Sequence, residues 1–151
     1  MRLTRRFIVK NIKDLNISSP IRYERYYIND NLRIQRKDGN YEKEILDSKN
    51  NIIEKLKIDI DEFSKLKENA YSKIVRDSYL FLDDNRVSIK KYYDTYEGLI
   101  RVEVQFQTLD EMNSYLKEWW MEEEITNSPL AFDKYLSKLN REEFLHELNN
   151  I

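Results

Sequence analysis

The chain has no cysteine, one histidine, two glycines and two prolines. Each scarcity removes a class of chemistry. Without cysteine there are no disulfides and no thiolate metal centres, and a reducing compartment is permitted. One histidine, His146, builds neither a histidine-rich metal cluster nor a serine–histidine pair. Two glycines exclude phosphate-cradling loops and dinucleotide fingerprints, and they leave most turns to Asn and Asp. No stretch approaches the roughly 18 apolar residues of a membrane helix. The basic opening MRLTRRFIVKNIKD has an apolar run too short for a secretory signal, so a soluble, cytoplasmic protein is expected. Charge of one sign is lacking too: 26 Lys and Arg meet 28 Asp and Glu. That balance gives no global case for a nucleic-acid or membrane partner, although a local basic face stays open.

What remains suits a folded core. Of the 151 residues, 40% are hydrophobic and 13% aromatic, with eleven tyrosines. No repeat or low-complexity linker divides the chain, so one domain over 1–151 is expected, with 137–151 as a helical tail. Alternation marks strands at 2–9, 21–28, 32–36, 41–46, 51–60, 78–82, 86–93 and 98–106. KDGN (37–40) signals a hairpin. Helical spacing appears at 60–74 and at 108–120, where Thr108 and Glu111 form a capping box and Met112, Leu116 and a tryptophan share a face. Trp119 and Trp120 are expected to close the core. This order predicts an α+β fold, a curved antiparallel sheet or barrel of seven or eight strands with helices packed outside.

GLIRVEVQFQTLDEM with WWMEEEIT (119–126), LRIQRKDGNY and LTRRFIV occur in this order. The first resembles the "GL-x-x-x-E-x-E-F" strand, helix and "E-V-T" of the CYTH superfamily, the triphosphate tunnel metalloenzymes. The second is similar to the family's "V-R-I-R" strand and hairpin, the third to its opening "E-x-E-x-K" strand. The resemblance covers about residues 2 to 136. It implies an eight-stranded antiparallel tunnel in which basic side chains grip a triphosphate and inward carboxylates hold Mg²⁺ or Mn²⁺. That chemistry is sound, since phosphoryl transfer needs cations around the equatorial oxygens and a hard metal needs clustered oxygen ligands.

Residue by residue, the resemblance puts Arg2 and Thr4 at the opening acids and Arg6 at the basic position. Arg33 keeps the first arginine of its strand while Gln35 replaces the second, with Lys43 near the lysine that follows. Lys55 and Lys57 stand where acids belong. Lys73 and Arg76 resemble a basic pair at a spacing one residue too long. Ser88 and Lys90 replace an "E-x-D" pair, and the last "E-x-E" survives as Glu103 with Gln105. Basic positions are kept and acidic ones are neutral or reversed. The implied phosphate ligands are therefore Arg6, Arg33 and Lys90, supported by Arg2, Lys55, Lys57, Lys73 and Arg76. Glu103 and Asp59 are the candidate metal ligands, and Glu103 the one catalytic candidate.

The reading is a divergent member that binds a phosphate-rich anion, tripolyphosphate or a nucleotide, with metal-dependent hydrolysis impaired or absent. Two alternatives stand beside it. One is an active triphosphatase or cyclase, dependent on Mg²⁺ or Mn²⁺, with Glu42 or Glu44 joining Glu103 and Asp59. The other is a protein-interaction module that keeps the barrel as a scaffold. Plainer readings compete at each site: Glu42 and Glu44 as a solvent-facing hairpin pair, 122–124 as a solvated acidic helix end, and IRYERYY (21–27) as an ordinary strand rather than a base-stacking surface.

Overall fold

A computed structural model describes residues 3–151; Arg2 lies outside them. Eight strands form one antiparallel sheet: β1 (Thr4–Ile8), β2 (Ile21–Asn29), β3 (Leu32–Lys37), β4 (Asn40–Leu46), β5 (Ile52–Lys57), β6 (Ser72–Leu80), β7 (Val87–Tyr93) and β8 (Ile100–Gln105). Their spatial order is β1-β8-β7-β6-β2-β3-β4-β5. No ladder joins β1 to β5 among the described residues, so the expected tunnel-like barrel is, in its hydrogen bonds, an open sheet. The edge of β1 is used differently. Glu122 N donates to Ile8 O at 2.7 Å, Ile8 N to Glu123 O at 2.9 Å and Ile125 N to Arg6 O at 2.8 Å. The acidic run 122–124 thus seals a strand edge instead of ending a helix.

Helix α1 (Ile60–Lys67) starts at Asp59, whose carboxylate accepts from Glu62 N at 2.8 Å. It stops seven residues before the expected 74, because Ser72 already pairs with Tyr27 of β2. Helix α2 (Leu109–Ser114) is likewise shorter than expected. The Ser114 hydroxyl bonds back to Asp110 O at 2.7 Å, and Tyr115 turns extended to lay its ring near Phe7 and Phe106. The shared helical face is lost with it. Trp120 is buried against Phe81, but Leu116 and Trp119 are 87% and 84% exposed, so only one tryptophan closes the core. The tail carries α3 (Asp133–Leu136) and α4 (Arg141–Asn149), the latter opened by a capping box between Asn140 and Glu143. No helix among the described residues is long and apolar enough to cross a membrane.

Alternation assigns the two faces of the sheet. On one face Phe7, Val87, Ile89, Val102 and Val104 pack with Trp120 and Met121, while Tyr26 and Ile34 take Phe63 of α1. The other face changes character along the strands. At one end Tyr27, Ile74 and Tyr92 pack beneath Leu130, Leu136 and Phe144 of the C-terminal segment. Further along it turns cationic, and there the sheet encloses a cavity.

Candidate functional site

The cavity has a volume of about 840 Å³. Its cations come from strands that the ladder aligns: Arg6 opposite Glu103, Lys90 opposite Arg101, Tyr23 between Lys37 and Arg76, Arg25 opposite Gln35 and Tyr27 opposite Arg33. Among the described residues, seven cationic side chains line it: Arg6, Arg25, Arg33, Lys37, Arg76, Lys90 and Arg101. They face two carboxylates, Glu103 and Asp133.

Each carboxylate is surrounded. Glu103 accepts from Arg6 Nε at 2.9 Å, Lys90 Nζ at 2.7 Å and Arg101 Nη2 at 3.4 Å. Burial alone would raise its pKa, but Lys90, Arg101 and Arg6 outweigh that and hold it far below the usual carboxylate range. Asp133 takes Arg25 at 2.8 Å and Arg76 at 3.0 Å on Oδ2, and Tyr92 at 2.6 Å and Arg101 at 3.2 Å on Oδ1. Its burial is likewise outweighed by Arg76, Arg101 and Arg25, so it too stays ionised. Burial brings the Lys90 ammonium down to about 8, with Glu103 opposing and Arg76 and Arg101 adding to the fall. One donor is left over: Arg101 Nε is buried with no hydrogen-bond partner among the described residues.

Of the residues the sequence singles out, Arg6, Arg33, Arg76, Lys90 and Glu103 meet at this cavity. Lys73 does not. Three positions from Arg76, it falls on the opposite sheet face, exposed, with its ammonium 5.7 Å from the Tyr26 ring. Lys55 and Lys57 stand opposite Glu44 and Glu42 on the exposed strand β5; Lys55 bonds Glu42 at 3.1 Å rather than lining the cavity. Asp59 caps α1 away from it. The hairpin acids do not share a solvent face, since Glu44 is buried against Arg33 Nε at 2.8 Å.

Arg25, Lys37, Arg101 and Asp133 are cavity residues that motif matching does not reach. The first three carry a readable signal, the same parity as Tyr23, Arg33 and Glu103 on their own strands. Asp133 carries none, because it arrives from a segment 108 residues beyond Arg25.

No family model and no curated protein matches the sequence. Solved structures do match the fold. A crystal structure described as the hypothetical protein NE1496 superposes with a TM-score of 0.77 at 18% identity, over 93% of this chain and 99% of that one. A crystal structure of the inorganic triphosphatase NE1496 gives 0.74 at 19%, over 91% and 94%.

The chain shares the fold of these NE1496 structures. Of the basic positions carried over from the CYTH pattern, Arg6, Arg33 and Arg76 line the cavity and Lys73 does not, whereas its acid positions hold Thr4, Lys55, Lys57, Ser88, Lys90 and Gln105. Among the described residues no group of three or more His, Cys, Asp or Glu is placed to hold a metal ion.

Proposed function

We propose that this protein binds a phosphate-rich anion, tripolyphosphate or a nucleotide, in the cavity between its strands. One observation carries the reading: seven cationic side chains line one cavity against two lining carboxylates and a third, Glu44, behind Arg33. Unit charges 4 Å apart repel by about 1 kcal/mol even in water. A cluster with this excess is therefore short of negative charge, and a polyanion supplies it. Arginine is the dominant cation, and its planar fork suits phosphate oxygens. The fold neighbour described as an inorganic triphosphatase supports a phosphate chain as the class of ligand.

Metal-dependent hydrolysis is impaired or absent in this reading. A resident Mg²⁺ needs near-octahedral oxygen ligands from carboxylates that are free to bind it. Glu103 and Asp133 do not fit, since both oxygens of each already accept from arginine, lysine or tyrosine donors. Gln105, beside Glu103, supplies only a neutral carbonyl.

The test joins binding to turnover. Tripolyphosphate should raise the melting temperature at low salt, less so at high salt, and Arg33→Ala should weaken the effect. Phosphate release should stay at background with Mg²⁺ or Mn²⁺. No thermal shift at low salt refutes the binding reading. Metal-dependent release that disappears in Arg33→Ala refutes the loss of hydrolysis.

A further inference from the structure

We propose that Asp133 is an internal anion, occupying the innermost phosphate position of the cavity and limiting the length of phosphate chain it admits. The inference rests on the anion-binding reading above and adds a determinant of specificity. Two donors meet each Asp133 oxygen, Arg25 and Arg76 on one, Arg101 and Tyr92 on the other. Three guanidiniums and a phenol surround one monoanion, and although Arg101 is shared with Glu103 at 3.4 Å, positive charge stays in excess. A phosphoryl group, carrying more charge and a third acceptor oxygen, would satisfy it better than a carboxylate does. The buried, unpartnered Nε of Arg101 is one such unused donor.

Asp133 cannot leave to make room. Leu130, Ala131 and Leu136 around it are fully buried, and Arg101 Nη1 also holds Leu130 O at 3.0 Å. An incoming chain therefore meets a fixed negative charge at the inner end. Its phosphates stop short of Arg25 and Arg101, among Arg6, Arg33 and Lys90.

Removing the carboxylate should open that position. In Asp133→Ala, inorganic phosphate should restore lost thermal stability with a saturable concentration dependence, while the wild type shows no comparable rise. Calorimetric affinities for pyrophosphate and tripolyphosphate should then diverge. The preference for the longer chain should grow by about tenfold, the order expected for one added set of charge-assisted contacts. If Asp133→Ala does not fold alone, refolding of Asp133→Gly against phosphate concentration reads the same site, since that change also vacates the position. Absence of phosphate rescue in either variant overturns the proposal. So does an equal fall in affinity for both chain lengths, which would make Asp133 only a brace for the arginines. Failure of the wild type to bind tripolyphosphate would instead strike the underlying reading, and leaves phosphate rescue as a separate result.

Discussion

Lys90 gives a measurable coupling between anion binding and protons. With its ammonium at about 8 instead of 10.5, it is only about one-quarter protonated at pH 8.5. A polyphosphate beside it favours the charged form and moves its pKa back toward the ordinary value. Binding at pH 8.5 should then take up about 0.7 of a proton at this residue, and almost none at pH 6.5, where it is already charged. Titration calorimetry in two buffers of different ionisation enthalpy measures the uptake. The difference between wild type and Lys90→Met removes the ligand's own ionisation. Equal uptake in the two proteins at pH 8.5 would refute the argument. The same shift fixes the sign of a stability effect. The folded value lies below the unfolded one, so the unfolded chain binds the extra proton between about pH 8 and 10.5. Stability from this residue is lowest below pH 8 and rises by about 3 kcal/mol across that window, a rise absent from Lys90→Met.

Arg33→Ala leaves the Glu44 carboxylate buried with, among the described residues, only Lys55 at 3.9 Å as a cationic partner, and should cost about 3 kcal/mol in chemical denaturation. The double change Arg33→Met with Glu44→Leu should recover most of it; an equally unstable double variant would show that the charge pair is not the cause. Asp59→Ala removes the α1 cap and should lower stability by about 1 kcal/mol while anion affinity stays unchanged; a fall in affinity would return Asp59 to the site. Trp119→Ser should alter stability by less than about 0.5 kcal/mol, whereas Trp120→Ala should cost about 3 kcal/mol or more. Mg²⁺ added alone should not raise the melting temperature, and a saturable rise would reveal oxygen ligands beyond Glu103 and Asp133.

Much of the sheet was legible because its signals are local. Alternation placed most strands within a residue or two, and KDGN formed its hairpin with Asp38 at a φ of 52°. Arg6, Arg33 and Glu103 came from the CYTH resemblance, and two-residue periodicity puts each on a definite face, the one that lines the cavity. The failures came where distant contacts decide. The helical pattern through 74 yielded to the pairing of Ser72 with β2, and that of 108–120 to the packing of Tyr115. Lys73 and Arg76 could not share a face at an odd spacing. The ligands of Asp133 come from β2, β6, β7 and β8 at once, a convergence that no single stretch of sequence displays.

The two edges of the sheet differ in how firmly they are held. Among the described residues β1 is tied on both sides, by β8 and by 122–125, whereas β5 has a neighbour only in β4 and buries no side chain. Ile52, at the start of β5, nevertheless lines the cavity. Amide protons of β5 should therefore exchange with solvent far sooner than those of β8, without the rest of the fold opening. One side of the cavity is in effect compliant and the other rigid. The space for an anion can widen by fraying a single hydrogen-bonded ladder, while the arginines gathered around Asp133 keep their positions.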